Sequence, residues 1–356
     1  MKMGIYPEKI ETIFEFKIPK GQIPERLDVY LTNSIKNATR TKVQRAIDEG
    51  AVFVNGKSAK ASRKIQPNDE IICKIMKAPP IDLIPENIPL DVVYEDEYLM
   101  VINKPAGIVS HPGFGNPYGT IVNAVLYHLG MRETIKIELY DEDDENEIQD
   151  EGLIFSSDAI RPGLVHRLDK DTSGLMLISK NPDVHAKLAQ QFQDRTVDKF
   201  YYALVWGTFK DDNGRIEEDI GRSQRNRKLF AVLKKGGKSA ITEYEVLERF
   251  EYLTLIKIKL MTGRTHQIRV HFCHNHHPVF GDVSYGGDSI VFGVNNSEFK
   301  KIANKCLISV NRQMLHAKEL GFIHPESGER LNFTSELPED FEKVLKELEK
   351  INEDNL

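Results

Sequence analysis

The chain has 356 residues, 40% of them apolar and 29% charged, which suits a water-soluble globular protein with room for two domains. No apolar run approaches the roughly 18 residues of a membrane span, and the N-terminal stretch carries Glu8, Glu11 and Glu15 where a signal peptide would need an apolar core. Three scattered cysteines, Cys73, Cys273 and Cys306, exclude a disulfide framework and fit a reducing, cytoplasmic setting. A net charge of −6 counts against nucleic-acid binding unless the cations are segregated.

They are segregated. From Arg26 to Lys77 basic residues outnumber acidic ones, whereas the stretch 138–151 holds Asp141, Glu142, Asp143, Asp144 and Glu145 in one block and reads as a solvated insertion. Within the basic stretch, Leu27, Tyr30 and Leu31 have helical spacing. Thr39 or Thr41 can cap a second helix that carries Val43 and Ile47 on one side and Arg40, Lys42 and Arg45 on the other. Val52-Phe53-Val54 followed by Asn55-Gly56 predicts a hairpin. The prolines of Ala78-Pro79-Pro80 then interrupt the pattern. The division expected is residues 1–78 as a small basic α/β module, 79–90 as a linker, and 91–356 as the main domain.

Beyond the linker, Tyr98 to Ile102, Leu175 to Ile178, Tyr201 to Trp206, Ile241 to Val246 and Tyr252 to Leu260 read as strands, the last because Tyr252, Ile256, Ile258 and Leu260 alternate with Lys257 and Lys259. Helical stretches near Val184 to Asp194 and Thr265 to His274 interrupt them irregularly, so the expected class is α+β with a mixed, mainly antiparallel sheet and flanking helices. The stretch from Asp288 to Asn311 reads as a second insertion.

The chemistry concentrates in Arg161-Pro162-Gly163-Leu164-Val165-His166-Arg167-Leu168-Asp169-Lys170-Asp171-Thr172-Ser173-Gly174, a polar loop running into an apolar strand. This loop resembles that of the RluA-type RNA pseudouridine synthases. Three further segments resemble the same family in the same order: Val101-Ile102-Asn103-Lys104-Pro105-Ala106-Gly107 with His111-Pro112, Lys199 to Val205, and Thr262-Gly263-Arg264-Thr265-His266-Gln267-Ile268-Arg269-Val270-His271. The stretch from Glu25 to about Lys77 is similar to S4-type RNA-binding domains.

The resemblance implies a cofactor-free, metal-free isomerisation in which Asp169 is the catalytic carboxylate, Arg269 its counter-charge and Tyr201 the aromatic against the uracil ring. It implies substrate contacts from Arg167, His166, Ile268 and Arg264, with Arg167 filling the gap left by a flipped nucleotide, and RNA docking through Arg40, Lys42 and Arg45. The partner expected is RNA, with large-subunit ribosomal RNA favoured over transfer RNA, for a monomeric enzyme away from membranes. Two other readings compete. His271, His274, His276 and His277 cluster potential metal ligands, though without the separated pairs of a zinc site. An RNA-binding scaffold without activity would retain the basic module but would not require Asp169, Tyr201 and Arg269 together.

Overall fold

The computed structural model describes residues 10–35, 38, 40–77, 81–113, 116–137, 163–226 and 228–354. The acidic block, Arg161, Pro162 and Thr39 lie outside the described residues. The chain divides into two compact units, Met1–Ile81 and Asp82–Leu356.

The first unit runs Ile10–Lys17 (β1), Leu27–Ser34 (α1), Arg40–Asp48 (α2), Val52–Val54 (β2), Lys57–Ser58 (β3) and Glu70–Lys77 (β4), with sheet order β1-β4-β2-β3. The Asn-Gly turn between β2 and β3 puts Asn55 at φ 52° and Gly56 at φ 73°, the two left-handed residues that a tight hairpin turn needs. Leu27 and Leu31 of α1 and Val43 and Ile47 of α2 meet Val52, Val54 and Ile71 in one core. Asp28, fully buried, is the polar centre of this unit: Arg26, Arg40 and Gln44 all donate to its carboxylate. The hydrogen bond from Arg26 holds its carboxyl well below the ordinary range against the opposing effect of burial, with Gln44 and Arg40 adding to it.

The second unit opens with Ile81–Leu83 (β5), Val92–Glu95 (β6), Leu99–Lys104 (β7), Ile121–His128 (α3), Ile135–Ile137 (β8) and Gly163–Leu164 (β9). It continues through Ser173–Ser179 (β10), Pro182–Gln193 (α4), Asp198–Trp206 (β11), Asn213–Arg222 (β12), Phe230–Val232 (β13), Lys238–Arg249 (β14) and Leu253–Leu260 (β15). Gln267–His274 (α5), Ser297–Ser309 (α6), Leu315–Ile323 (β16), Arg330–Thr334 (β17) and Glu339–Asp354 (α7) complete it. The main sheet follows β13-β12-β14-β15-β11-β16-β10-β7-β6, with β17 added on β16 and β9 on β10, while β5 and β8 form a separate pair. Its pairings are antiparallel except β10 with β16, which makes the fold α+β with a mixed sheet.

Alternation along the strands sends Met100, Ile102, Met176, Ile178, Ala203 and Ile258 to one face, where α3 and α5 pack. Leu99, Val101, Leu175 and Leu177 go to the other, against Val184 and Leu188 of α4. The stretch read as a second insertion is integrated: Phe299, Ala303 and Cys306 of α6 bury against Trp206, Phe280 and Phe341.

Residues 83–90 depart from the linker expected there. Leu83 is fully buried, Ile84 carbonyl accepts from Asn123 Nδ2 at 2.7 Å, and Glu86 Oε1 accepts from Gly119 N–H at 2.8 Å. This stretch packs along α3 and the turn that precedes it.

Candidate active site

The Asp169 loop is held from both sides. Before Asp169, the buried Ser110 hydroxyl donates to Leu168 carbonyl at 2.8 Å and accepts from Leu168 N–H at 3.2 Å. After it, Lys170 carbonyl accepts from Lys104 Nζ at 2.9 Å and from Gly107 N–H at 2.9 Å. Lys104 is fully buried and also donates to the carbonyls of Pro105 and Ile108, each at 2.8 Å. Burial pushes its pKa down to about 7 while Asp169 and Asp171 pull the other way. Three carbonyl acceptors match the three N–H donors of an ammonium, and a neutral amine would leave one carbonyl facing a lone pair, so the geometry favours the charged form.

The loop's exit is fixed by close backbone approach. Gly174 has φ 118°, and a Cβ there would lie 2.3 Å from Ala317 carbonyl oxygen, so the parallel start of β10 beside β16 admits only glycine. Ser173 Oγ bonds His316 Nδ1 at 2.9 Å and Thr172 Oγ1 accepts from Gln313 Nε2 at 3.1 Å. We expect Ser110→Ala to strand a buried N–H and a buried carbonyl, lowering stability by about 2 kcal/mol and single-turnover rate several-fold at unchanged RNA affinity. Urea unfolding and single-turnover assays check this. A variant with wild-type stability and rate would show that the clamp has no role.

Asp169 therefore projects from a rigid loop, its side chain 19% exposed. Arg269, on α5 and 100 positions away in sequence, donates from a terminal nitrogen to Asp169 Oδ2 at 3.0 Å. The same guanidinium grips fully buried Asp282 with two bonds of 2.7 and 2.9 Å. Asp282 in turn accepts from the N–H groups of Ser284 and Tyr285, and the Tyr285 ring lies 4.9 Å from Arg269. Arg269 is thus a bridge, with one side anchored in the core and one nitrogen presented to Asp169. Burial opposes the Asp169 charge, but His266, Arg269 and Arg167 outweigh it and hold the carboxyl below its ordinary value. It is ionised at neutral pH.

Tyr201, on β11, is 7% exposed and in the same apolar cluster as Leu168 and Ile268. Burial, and next the Asp169 charge, push its hydroxyl well above the ordinary phenol range, so it is protonated at neutral pH. His266 stands at the start of α5 in a left-handed conformation, φ 56°, with Nε2 3.9 Å from Asp169 Oδ2. Its Nδ1 bonds Tyr285 hydroxyl at 2.9 Å, and that hydroxyl accepts from Phe230 N–H at 3.1 Å. These bonds fix the ring with Nε2 facing the carboxylate.

The structure thus brings Asp169, Tyr201, Arg269 and Ile268 together, with the Arg167 charge acting on Asp169 and His266. It does not bring in His166. That ring stacks on Phe192 of α4 at 5.1 Å and accepts from Leu177 N–H at 2.9 Å, and burial pushes its pKa down to about 3. It is a neutral prop for the loop. Arg264 turns toward β14, its Nε donating to Ser239 carbonyl at 3.2 Å. In the first unit, Arg40 bonds Asp28 and Arg45 bonds Glu49, so neither is an isolated cation. Of the histidines weighed as metal ligands, two have other bonds: His271 Nδ1 with Thr242 hydroxyl, and His277 Nδ1 donating to Trp206 carbonyl. The sequence reading did not single out His266, Asp282, Tyr285 or Ser110. His266 sits inside the last of the four motifs, where nothing in its spacing sets it apart from Arg264 and Arg269.

A family model described as RNA pseudouridylate synthase matches residues 98–274, and one described as S4 domain matches residues 25–71. An uncharacterized RNA pseudouridine synthase of Chlorobaculum parvum is 45% identical over 334 residues, covering 93% of this chain and 96% of that one. A Neisseria meningitidis protein named ribosomal large subunit pseudouridine synthase D is 38% identical over 321 residues, covering 90% of this chain and 78% of that one. Human RNA pseudouridylate synthase domain containing 4 shares the fold, with a TM-score of 0.50 at 23% identity over 72% of this chain and 92% of that one. The likeness at 45% identity runs through nearly the whole length, with an S4 domain ahead of the Asp169 and Arg269 motifs, and the chain therefore belongs to the RNA pseudouridine synthase family.

Proposed function

We propose that this enzyme isomerises uridines in large-subunit ribosomal RNA, with Asp169 as the group that acts on the target nucleotide. The observation that carries the reading is a partly exposed, ionised carboxylate on a clamped loop, paired with an arginine that is itself anchored to a buried Asp282. In the reaction the N1–C1′ bond breaks, a C5–C1′ bond forms, and the C5 proton leaves. An ionised carboxylate serves whether it attacks C1′, adds to C6 or stabilises charge in a glycal route. Arg269 keeps Asp169 ionised. Protonated Tyr201 packs against the uracil ring, Ile268 extends that apolar wall, and Arg167 stacks in the space vacated by the flipped base.

The ribosomal target is supported by the relative named for the large subunit. The S4 domain holds RNA through α2, where Lys42 and Arg45 flank the helix and Arg40 shares its charge with Asp28. Three cysteines, none in a disulfide, suit a reducing cytoplasm. The test is tritium release from a large-subunit ribosomal RNA transcript labelled with 5-tritiated uridine. Stoichiometric release at a few positions is expected. Release from transfer RNA transcripts alone would overturn the ribosomal target, and binding without release from any RNA would overturn the isomerisation.

A further inference from the structure

We infer that the two turns flanking β13 form a second RNA-docking surface, one that holds the phosphodiester backbone beside the target uridine. The inference rests on the proposed reading of Asp169 as the catalytic centre and adds the path that the flanking strand takes past it.

Charge is the first observation. From Arg222 to Lys238 the chain carries Arg222, Arg225, Arg227, Lys228, Lys234, Lys235 and Lys238 and no acidic residue, in a protein of net charge −6. Arg227 lies outside the described residues. Arg225, Lys228, Lys234 and Lys235 are exposed, and among the described residues no ion pair or hydrogen bond engages their side chains. On the outer face of the same sheet the cations are neutralised in pairs: Lys257 with Glu319, Lys259 with Asp198, and Arg215 with Glu243. The acidic residues Glu217, Glu218 and Asp219 precede the basic stretch on β12.

Position is the second. Phe230, the first residue of β13, is buried with Val270 of α5 and Tyr285, and its N–H bonds the Tyr285 hydroxyl that orients His266. Lys228 is two residues from this anchor, so its Cα lies within about 7 Å of that of Phe230, and Lys234 within about 14 Å. Arg222 covers the Phe230 ring at 4.3 Å, and Arg264, bonded to Ser239 at the start of β14, adds its charge from the adjoining loop. The stretch offers no exposed aromatic, because Phe230 is its only one and is 3% exposed. The stretch thus has no aromatic platform for bases, and phosphates are the fitting ligand for its exposed cations.

The experiment uses the full chain and the labelled large-subunit transcript, comparing a variant with Arg225, Lys228, Lys234 and Lys235 all changed to Gln against Lys300→Gln/Lys301→Gln, a control on exposed positions of α6. The four-site variant should bind about tenfold to a hundredfold more weakly at low salt, with the log affinity against log salt slope shallower by roughly 2 to 3, at about 0.7 per phosphate contact. Its single-turnover tritium release at saturating RNA should stay within about twofold of wild type, and the control should match wild type. Unchanged affinity and slope, or equal losses in both variants, would overturn the proposal. RNA should also protect Lys228, Lys234 and Lys235 of the unmutated protein from acetylation, and full reactivity in the complex would overturn it independently of any folding defect. Filter binding reads this surface without turnover, so a wild-type protein that binds the transcript and releases no tritium would fail the isomerase reading while the docking surface stood or fell on its own result.

Discussion

Asp169→Asn is expected to lower isomerisation at least about a thousandfold, a barrier increase of about 4 kcal/mol, while fold and RNA affinity persist. Asn matches the carboxylate in size and keeps an oxygen for the Arg269 bond of 3.0 Å, but it lacks the charge that the chemistry uses. Arg269 keeps both bonds to Asp282, so the core is undisturbed. Phosphate contacts dominate affinity and do not involve Asp169. Single-turnover tritium release and filter binding on the same transcript give the answer, and a variant within about tenfold of wild type would sink the assignment. The pH dependence follows the same logic. A carboxyl held below its ordinary value of 3.8 stabilises the fold above that value and loses the contribution as pH falls through its lower folded value. With respect to Asp169, the wild-type rate should therefore be level from pH 5 to 8.

Arg269→Ala should differ in kind. It removes the arginine bonded to fully buried Asp282, leaving a charge that, among the described residues, keeps the N–H groups of Ser284 and Tyr285 as its hydrogen-bond partners, at a cost of about 3 to 5 kcal/mol. The melting temperature should fall by roughly 10 °C for a domain of this size. Asp169 loses the bond and charge that oppose its burial, so its pKa should rise, and an acid limb should enter the measurable range of the rate profile. Asp169→Asn thus removes the rate with a small loss of stability, whereas Arg269→Ala loses much more stability and acquires an acid limb. Thermal melts together with pH-rate profiles, measured where each variant is folded, separate the two. An Arg269→Ala protein as stable as wild type would mean that Asp282 finds another partner.

Local chemistry carried much of the reading. Asn55 and Gly56 announce their turn because an Asn-Gly pair tolerates positive φ, and both residues adopt it. Alternation of Ile256 and Ile258 with Lys257 and Lys259 marks β15 as a strand, while Leu253 and Leu255 at its start are buried on the opposite face. Other elements left no periodic trace. Ile121 to Leu126 of α3 are all buried, so the helix has no polar face to contrast with an apolar one, and its capping pair Thr120 and Asn123 passes for ordinary loop. The basic run from Arg222 to Lys238 is plain in the sequence, but nothing in it states that Phe230 anchors the run beside His266.

By itself the sequence determined the family, the order of domains and the α+β class, and it pointed to Asp169 as the candidate carboxylate, because these rest on contiguous motifs and on short-range periodicity. Only the tertiary structure decided which charges are paired. Arg269 reaches Asp169 across 100 positions and Asp282 across 13, Lys104 meets the Lys170 carbonyl across 66, and Ser110 clamps Leu168 across 58. It likewise turned His166 away from the site, engaged Arg40 with Asp28, and packed residues 83–90 against α3. A side chain's charge is written in its residue type, but its pKa and its availability depend on burial and on neighbours that chain folding brings from distant positions.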